Sequence, residues 1–213
     1  MNTQDLIVML ADGPRSPSRS AVAGRLGFGL AVSLTAALLL LVILPGDGTS
    51  LITRATMPVF WAKLALPLAM TLSATCVTSR LSQPGVRVGR AWAALILPVG
   101  IVWLVALIVL ALAAPEARGD LILGHTWRYC SLKIMLLSVP ALGALLWAMR
   151  GLAPTRPRLA GAATGLLAGA LGSLAYCLRC PEMHVPFWAT WYLIGMAAPA
   201  LVGGLLGPRA MRW

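Results

Sequence analysis

Acidic side chains are what this sequence has least of: six Asp and Glu stand against seventeen Lys and Arg, and charged residues make up only 11% of the 213 positions. So few ionisable groups cannot clothe a water-soluble surface, and a composition that is 59% hydrophobic goes well beyond what a soluble core requires. Catalytic constellations are missing as well. The chain has no HExxH pattern, no phosphate-cradling P-loop, and no Ser/His/Asp set supported by spacing. A haem-attachment motif needs His directly after the second cysteine of a CxxC, and Pro181 stands there. These absences exclude the common enzyme classes, and the chain is read as a non-enzyme that requires no cofactor.

What the chain does have is six apolar runs long enough to cross about 30 Å of hydrocarbon at about 1.5 Å per residue: 26–44, 57–78, 91–114, 130–149, 158–180 and 187–207. Backbone polar groups in lipid must be satisfied within their own segment, so the runs are predicted to be helices. The expected fold is an all-α, polytopic bundle of six transmembrane helices over 25–213, preceded by a cytoplasmic segment at 1–24, with no room for a separate folded domain. The first run follows a basic stretch as a signal peptide does, but Leu44-Pro45-Gly46-Asp47 lacks a small-x-small cleavage site, so it reads as an uncleaved anchor.

A formal charge of +11 suggests nucleic acid until its distribution is counted. Arg15, Arg19 and Arg25 precede the first run; Arg80, Arg87 and Arg90 follow the second; Arg150, Arg156 and Arg158 follow the fourth; Arg209 and Arg212 follow the sixth. The alternate loops hold Arg54, Arg118, Arg128 and Arg179 together with Asp47, Glu116, Asp120 and Glu182. This is a positive-inside bias repeated at every turn. It predicts a multi-pass protein of a bacterial inner membrane with both termini cytoplasmic, with lipid rather than nucleic acid as the partner of the basic charge. The aliphatic residues of the N-terminal segment, Leu6, Ile7 and Leu10, share a face with Asp5 nearby. Such a short helix is marginal alone; it reads as a membrane foot or as a peptide that docks in a partner's groove.

The fifth run is striped with Gly161, Gly165, Gly169 and Gly172, the small-xxx-small pattern that lets helix backbones approach closely, so it is expected to be the central packing helix. Carried on at about 100° per residue, its wheel sets Cys180 beside the stripe and Cys177 further round. Cys130, at the start of the fourth run and two residues from Arg128, is the expected reactive thiol. Cys76, remote from the others, reads as packing. Lys63 and Lys133, as ionisable residues in membrane helices, are functional candidates by default, but both sit near enough to the outer interface to snorkel, the favoured reading; Phe187, Trp188, Trp191 and Tyr192 read as an interfacial belt.

Three cysteines and both histidines thus fall on the outer side, where lasting disulfides form. Three uses are open: a fixed Cys130–Cys180 staple, a soft-metal site from Cys130, Cys177, Cys180 and His184, or a redox switch. A membrane thiol–quinone oxidoreductase is the enzyme alternative, though three outer thiols are too few for a relay between pairs.

The assembled motifs resemble a family, the NrsF-like six-helix bacterial anti-sigma factors named for the negative regulator of sigma F. The resemblance covers 3–213 and is carried by Asp5-Leu6-Ile7, Arg80-Leu81-Ser82-Gln83-Pro84-Gly85, Cys130, Leu152-Ala153-Pro154-Thr155-Arg156, Tyr176 through Cys180, Pro186-Phe187-Trp188, Trp191-Tyr192 and Gly207-Pro208-Arg209-Ala210-Met211-Arg212-Trp213. It implies that the N-terminal segment holds an extracytoplasmic-function sigma factor, for which Asp5, Leu6, Ile7 and Leu10 of its hydrophobic side are the expected contact residues. It also implies that Cys130 and Cys180 sense metal or oxidative stress. Cys177 is an extra thiol in that comparison. The sequence names neither the sigma factor nor the oligomeric state.

Overall fold

The computed structural model describes residues 19–43, 54–152 and 154–211. The expected partner-binding residues Asp5, Leu6, Ile7 and Leu10 lie outside them. Among the described residues there is no strand, and six long helices occur: α1 Arg19–Ile43, α2 Pro58–Leu81, α3 Ala91–Leu112, α4 Trp127–Arg150, α5 Pro157–Cys177 and α6 Val185–Ala210. All six are long and apolar enough to cross a membrane. A 3-10 turn, Pro115–Ala117, and a short helix, Arg118–Leu123, carry the connection from α3 to α4.

Helix ends follow proline chemistry. Pro58, Pro157 and Pro186 occupy the first turns of α2, α5 and α6, where a missing N–H costs nothing. The first helix starts seven positions earlier than its apolar run because Arg19 to Arg25, though basic and small, contain no proline, and the single Gly24 costs a helix only about 1 kcal/mol. At the other extreme α5 stops at Cys177 rather than at 180, since Pro181 disfavours helical backbone at the residue before it.

The centre of the bundle is α5: 78% of its apolar window is buried, against 17% for α3, which packs at the periphery on α2 and α6. The glycine stripe explains this. A Cβ on Gly161 would strike the Gly203 carbonyl oxygen, and one on Gly165 would strike that of Pro199. A Cβ on Gly169 would come 2.8 Å from the Met196 Cα. The α5 and α6 backbones therefore touch, as the four-residue spacing predicts. Gly172 departs from its wheel neighbours and meets the Ile134 carbonyl of α4 instead, because one face of α5 is crossed by two helices at different heights. On the far side of α4, Ser33 of α1 reaches the Ala141 carbonyl at 3.3 Å.

The two ends of the bundle hold different residues. At one end Arg150 Nε donates to the Ala210 carbonyl at 2.6 Å, and a cavity of about 410 Å³ lies between the α2–α3 loop and the start of α5, lined by Arg87, Trp92, Thr155 and Arg156. At the other end the Pro115–Leu123 connection, the start of α2 and the turn between α5 and α6 come together. Between the ends the outer surface is apolar, with Leu112 85% exposed and Leu39, Leu201 and Leu205 also open, a surface suited to hydrocarbon rather than water. Cys76 lies on that surface: it is exposed, not packed.

Candidate thiol site

Cys130 is fixed by helix geometry: it lies in the first turn of α4, its N–H bonded to the Thr126 carbonyl at 3.0 Å. Cys177 ends α5. Cys180 lies past the helix, its N–H reaching back to the Tyr176 carbonyl at 3.0 Å. The wheel angle assigned to Cys180 on a continuous helix therefore does not apply, and the Pro181 that invalidates it was visible in the sequence. Even so, Cys180 is the sulfur that meets Cys130, the two thiols being hydrogen-bonding neighbours. All four cysteines are free, and Cys130, Cys177 and Cys180 are completely buried.

The N–H groups of Leu178, Arg179 and Cys180 bond back to carbonyls at the end of α5, whereas carbonyls of the turn are held from other elements. Cations bind those carbonyls, and a carboxylate ties the turn to a neighbouring connection. Lys63 of α2, completely buried, donates from Nζ to the carbonyls of Cys180 and Glu182, both at 2.8 Å, and lies 5.7 Å from the centre of the Tyr192 ring. Arg54 Nη1 donates to the Leu178 carbonyl at 3.3 Å. The buried Glu182 carboxylate accepts the His125 N–H at 2.8 Å and the Thr126 hydroxyl at 3.4 Å, tying the turn to the α3–α4 connection. Gly124 makes that approach possible: it has φ +55°, and a Cβ there would come within 2.9 Å of Glu182 and 2.7 Å of Phe187. Trp191 Nε1 adds a bond to the Ile122 carbonyl at 2.8 Å and its ring lies 5.5 Å from that of Trp127.

Two expectations change here. Lys63 does not snorkel; its ammonium is turned inward onto the thiol-bearing turn, while Lys133 stays half-buried near the Tyr176 ring. Phe187, Trp188 and Tyr192 are buried in the core rather than spread in an interfacial belt, because the tight α5–α6 approach draws the start of α6 inward. The Tyr192 hydroxyl finds no well-formed partner and faces the sulfurs of Cys177 and Cys180. Lys63, Glu182 and Arg54 were absent from the sequence-derived site. For Lys63 the signal was present, since an ionisable residue within an apolar helix is a functional candidate by default.

The Cys180 thiol is pulled down to about 6, first by the hydrogen bond with Cys130; burial opposes this, and the Lys63 ammonium, the Tyr192 hydroxyl and the Glu182 backbone N–H add to the lowering. Arg128, expected to activate Cys130, lies instead over the Trp127 ring at 5.3 Å. Among the described residues no group of three or more His, Cys, Asp and Glu is arranged to hold a metal ion, and His184 is exposed beside the site.

A family model described as negative regulator of sigma F (NrsF) matches residues 10–213. A protein of Azospira oryzae named as a probable anti-sigma-F factor NrsF is 43% identical over 219 aligned positions, covering the whole of both chains. The anti-sigma-F factor NrsF of Caulobacter vibrioides is 36% identical over the same full length. No solved structure matches the chain.

Proposed function

The chain belongs to the NrsF family of negative regulators of sigma F, and from that premise we propose that it is an anti-sigma factor of a bacterial inner membrane. It holds an extracytoplasmic-function sigma factor through residues 1–13 and releases it when the thiols of Cys130 and Cys180 are modified. Membership in a regulatory family agrees with the lack of an enzyme constellation. The observation that carries the proposal is the full-length identity of 43% to a relative named for this activity. Six helices able to span a membrane support the location, and the basic residues gathered at one end support cytoplasmic termini.

The switch is supported by the neighbouring, buried sulfurs of α4 and of the turn between α5 and α6. A disulfide between them joins α4 to the α5–α6 turn and constrains how those elements pack. A thiophilic metal ion has the same two sulfurs as donors, with Cys177 and His184 as further candidates only if the site rearranges. To release its partner the modified state must bind it more weakly, and each tenfold loss corresponds to about 1.4 kcal/mol.

Capture of the sigma factor from solubilised membranes, identified by mass spectrometry, tests the first part. Deletion of residues 1–13 is expected to abolish capture, and undiminished capture removes that segment from the proposal. Cys130→Ser and Cys180→Ser are each expected to block the response to oxidant and to thiophilic metal. A normal response in both single variants rules out the switch, and a response lost to one challenge alone identifies the inducer.

A further inference from the structure

The two sulfurs of the pair are held by different means. Cys130 belongs to a regular helix, so the α4 backbone sets its position. Cys180 lies beyond the α5 terminus and before Pro181: its N–H still reaches the Tyr176 carbonyl, but its own carbonyl and that of Glu182 are held by a side chain from another helix. Lys63 supplies both of those ties, at 2.8 Å each, to carbonyls on either side of Pro181. Among the described residues no carboxylate lies within ion-pair distance of its ammonium, so the charge is directed at carbonyl dipoles, the Tyr192 ring face and the thiols.

We propose that Lys63 is a positioning residue of the thiol pair, its ammonium clamping the Cys180 and Glu182 carbonyls so that the Cys180 sulfur is presented to Cys130. A buried ammonium is costly unless it is fully solvated by hydrogen-bond acceptors, and a hydrophobic residue at position 63 would suffice if the task were only to pack α2. The clamp has a chemical consequence. Disulfide formation between two held thiols is favoured in proportion to how often they meet in bonding geometry. With the clamp removed, the turn samples other positions and the pair meets less often. This inference rests on the proposed thiol switch.

The test is the thiol–disulfide equilibrium of the full-length, detergent-purified protein in glutathione buffers, in a Cys76→Ser/Cys177→Ser background. One protein thiolate attacks glutathione disulfide and expels one glutathione thiolate. The second protein thiol, losing its proton, displaces the other. Two protein thiols are thereby oxidised to one disulfide and one glutathione disulfide is reduced to two glutathione molecules. Lys63→Met, which removes the donors and keeps length, is expected to lower the effective concentration of the pair at least tenfold, equal to a rise of about 30 mV in reduction potential. Lys63→Arg, which retains donors for both carbonyls, is expected to stay within about threefold of the background, a factor set by the usual spread of such contributions. An unchanged equilibrium in a folded Lys63→Met protein overturns the proposal, as does an equal loss in Lys63→Arg. If Lys63→Met does not fold, Lys63→Gln, which keeps one donor, is expected to give an intermediate fall; failure of both to fold assigns Lys63 to folding alone and overturns the proposal. If the background protein forms no disulfide in any buffer, the thiol switch itself fails, a result distinct from all of these.

Discussion

A buried carboxylate that accepts a backbone N–H cannot be trimmed without leaving that N–H unpaired, and Glu182 is in this position. Its carboxylate holds His125 and Thr126 over the thiol turn. Glu182→Ala is expected to cost about 1–3 kcal/mol, read as a lowered unfolding temperature in detergent with faster hydrogen exchange at the His125 amide. Glu182→Gln keeps an acceptor and should cost less than half as much. Equal losses in the two variants would mean that the negative charge, not the hydrogen bonds, is what matters. Residue identity was the hardest level to read in the sequence. Cys130 and Cys180 could be singled out because cysteine is scarce, but the inward turn of Lys63 depends on carbonyls 117 and 119 positions away. No local pattern encodes that contact.

At the level of helices, the glycine stripe is the feature with the sharpest consequence. Gly165→Ala places a methyl group against the Pro199 carbonyl, a backbone atom that cannot rotate aside, and is expected to destabilise by about 1–3 kcal/mol. Gly143 on α4 has nothing within 4 Å of its Cβ position, so Gly143→Ala is expected to be neutral or to stabilise by about 0.5–1 kcal/mol. Thermal unfolding of both variants in one detergent checks the contrast, and equal effects would mean that the α5–α6 contact is looser than described. The stripe was legible because close backbone approach demands a residue type and a spacing. Helix ends were less so: hydrophobicity marks where lipid could lie, whereas Pro181 and the proline-free run from Arg19 decide where the backbone stops and starts.

On the scale of the whole molecule, the alternation of basic and acidic loops and the sorting of residues between the two ends predict a topology. In a cysteine-free background, Asp120→Cys is expected to react with an impermeant maleimide in intact cells, whereas Pro84→Cys and Thr155→Cys should react only after permeabilisation. Labelling of all three in intact cells would contradict it. The six-helix plan was legible because composition and length alone fix it. The thiol site was legible only in part, because its sulfurs come from different elements and its supports come from a third.

The central claim couples the sulfurs of Cys130 and Cys180 to the proposed hold on a sigma factor. The most direct measurement is the affinity of the purified full-length protein for the sigma factor that co-purifies with it, taken with the pair reduced and again with the pair oxidised. The account predicts at least tenfold weaker binding after oxidation, about 1.4 kcal/mol, and no change on the same treatment of Cys130→Ser. Equal affinity in the two states of the wild-type protein would contradict it.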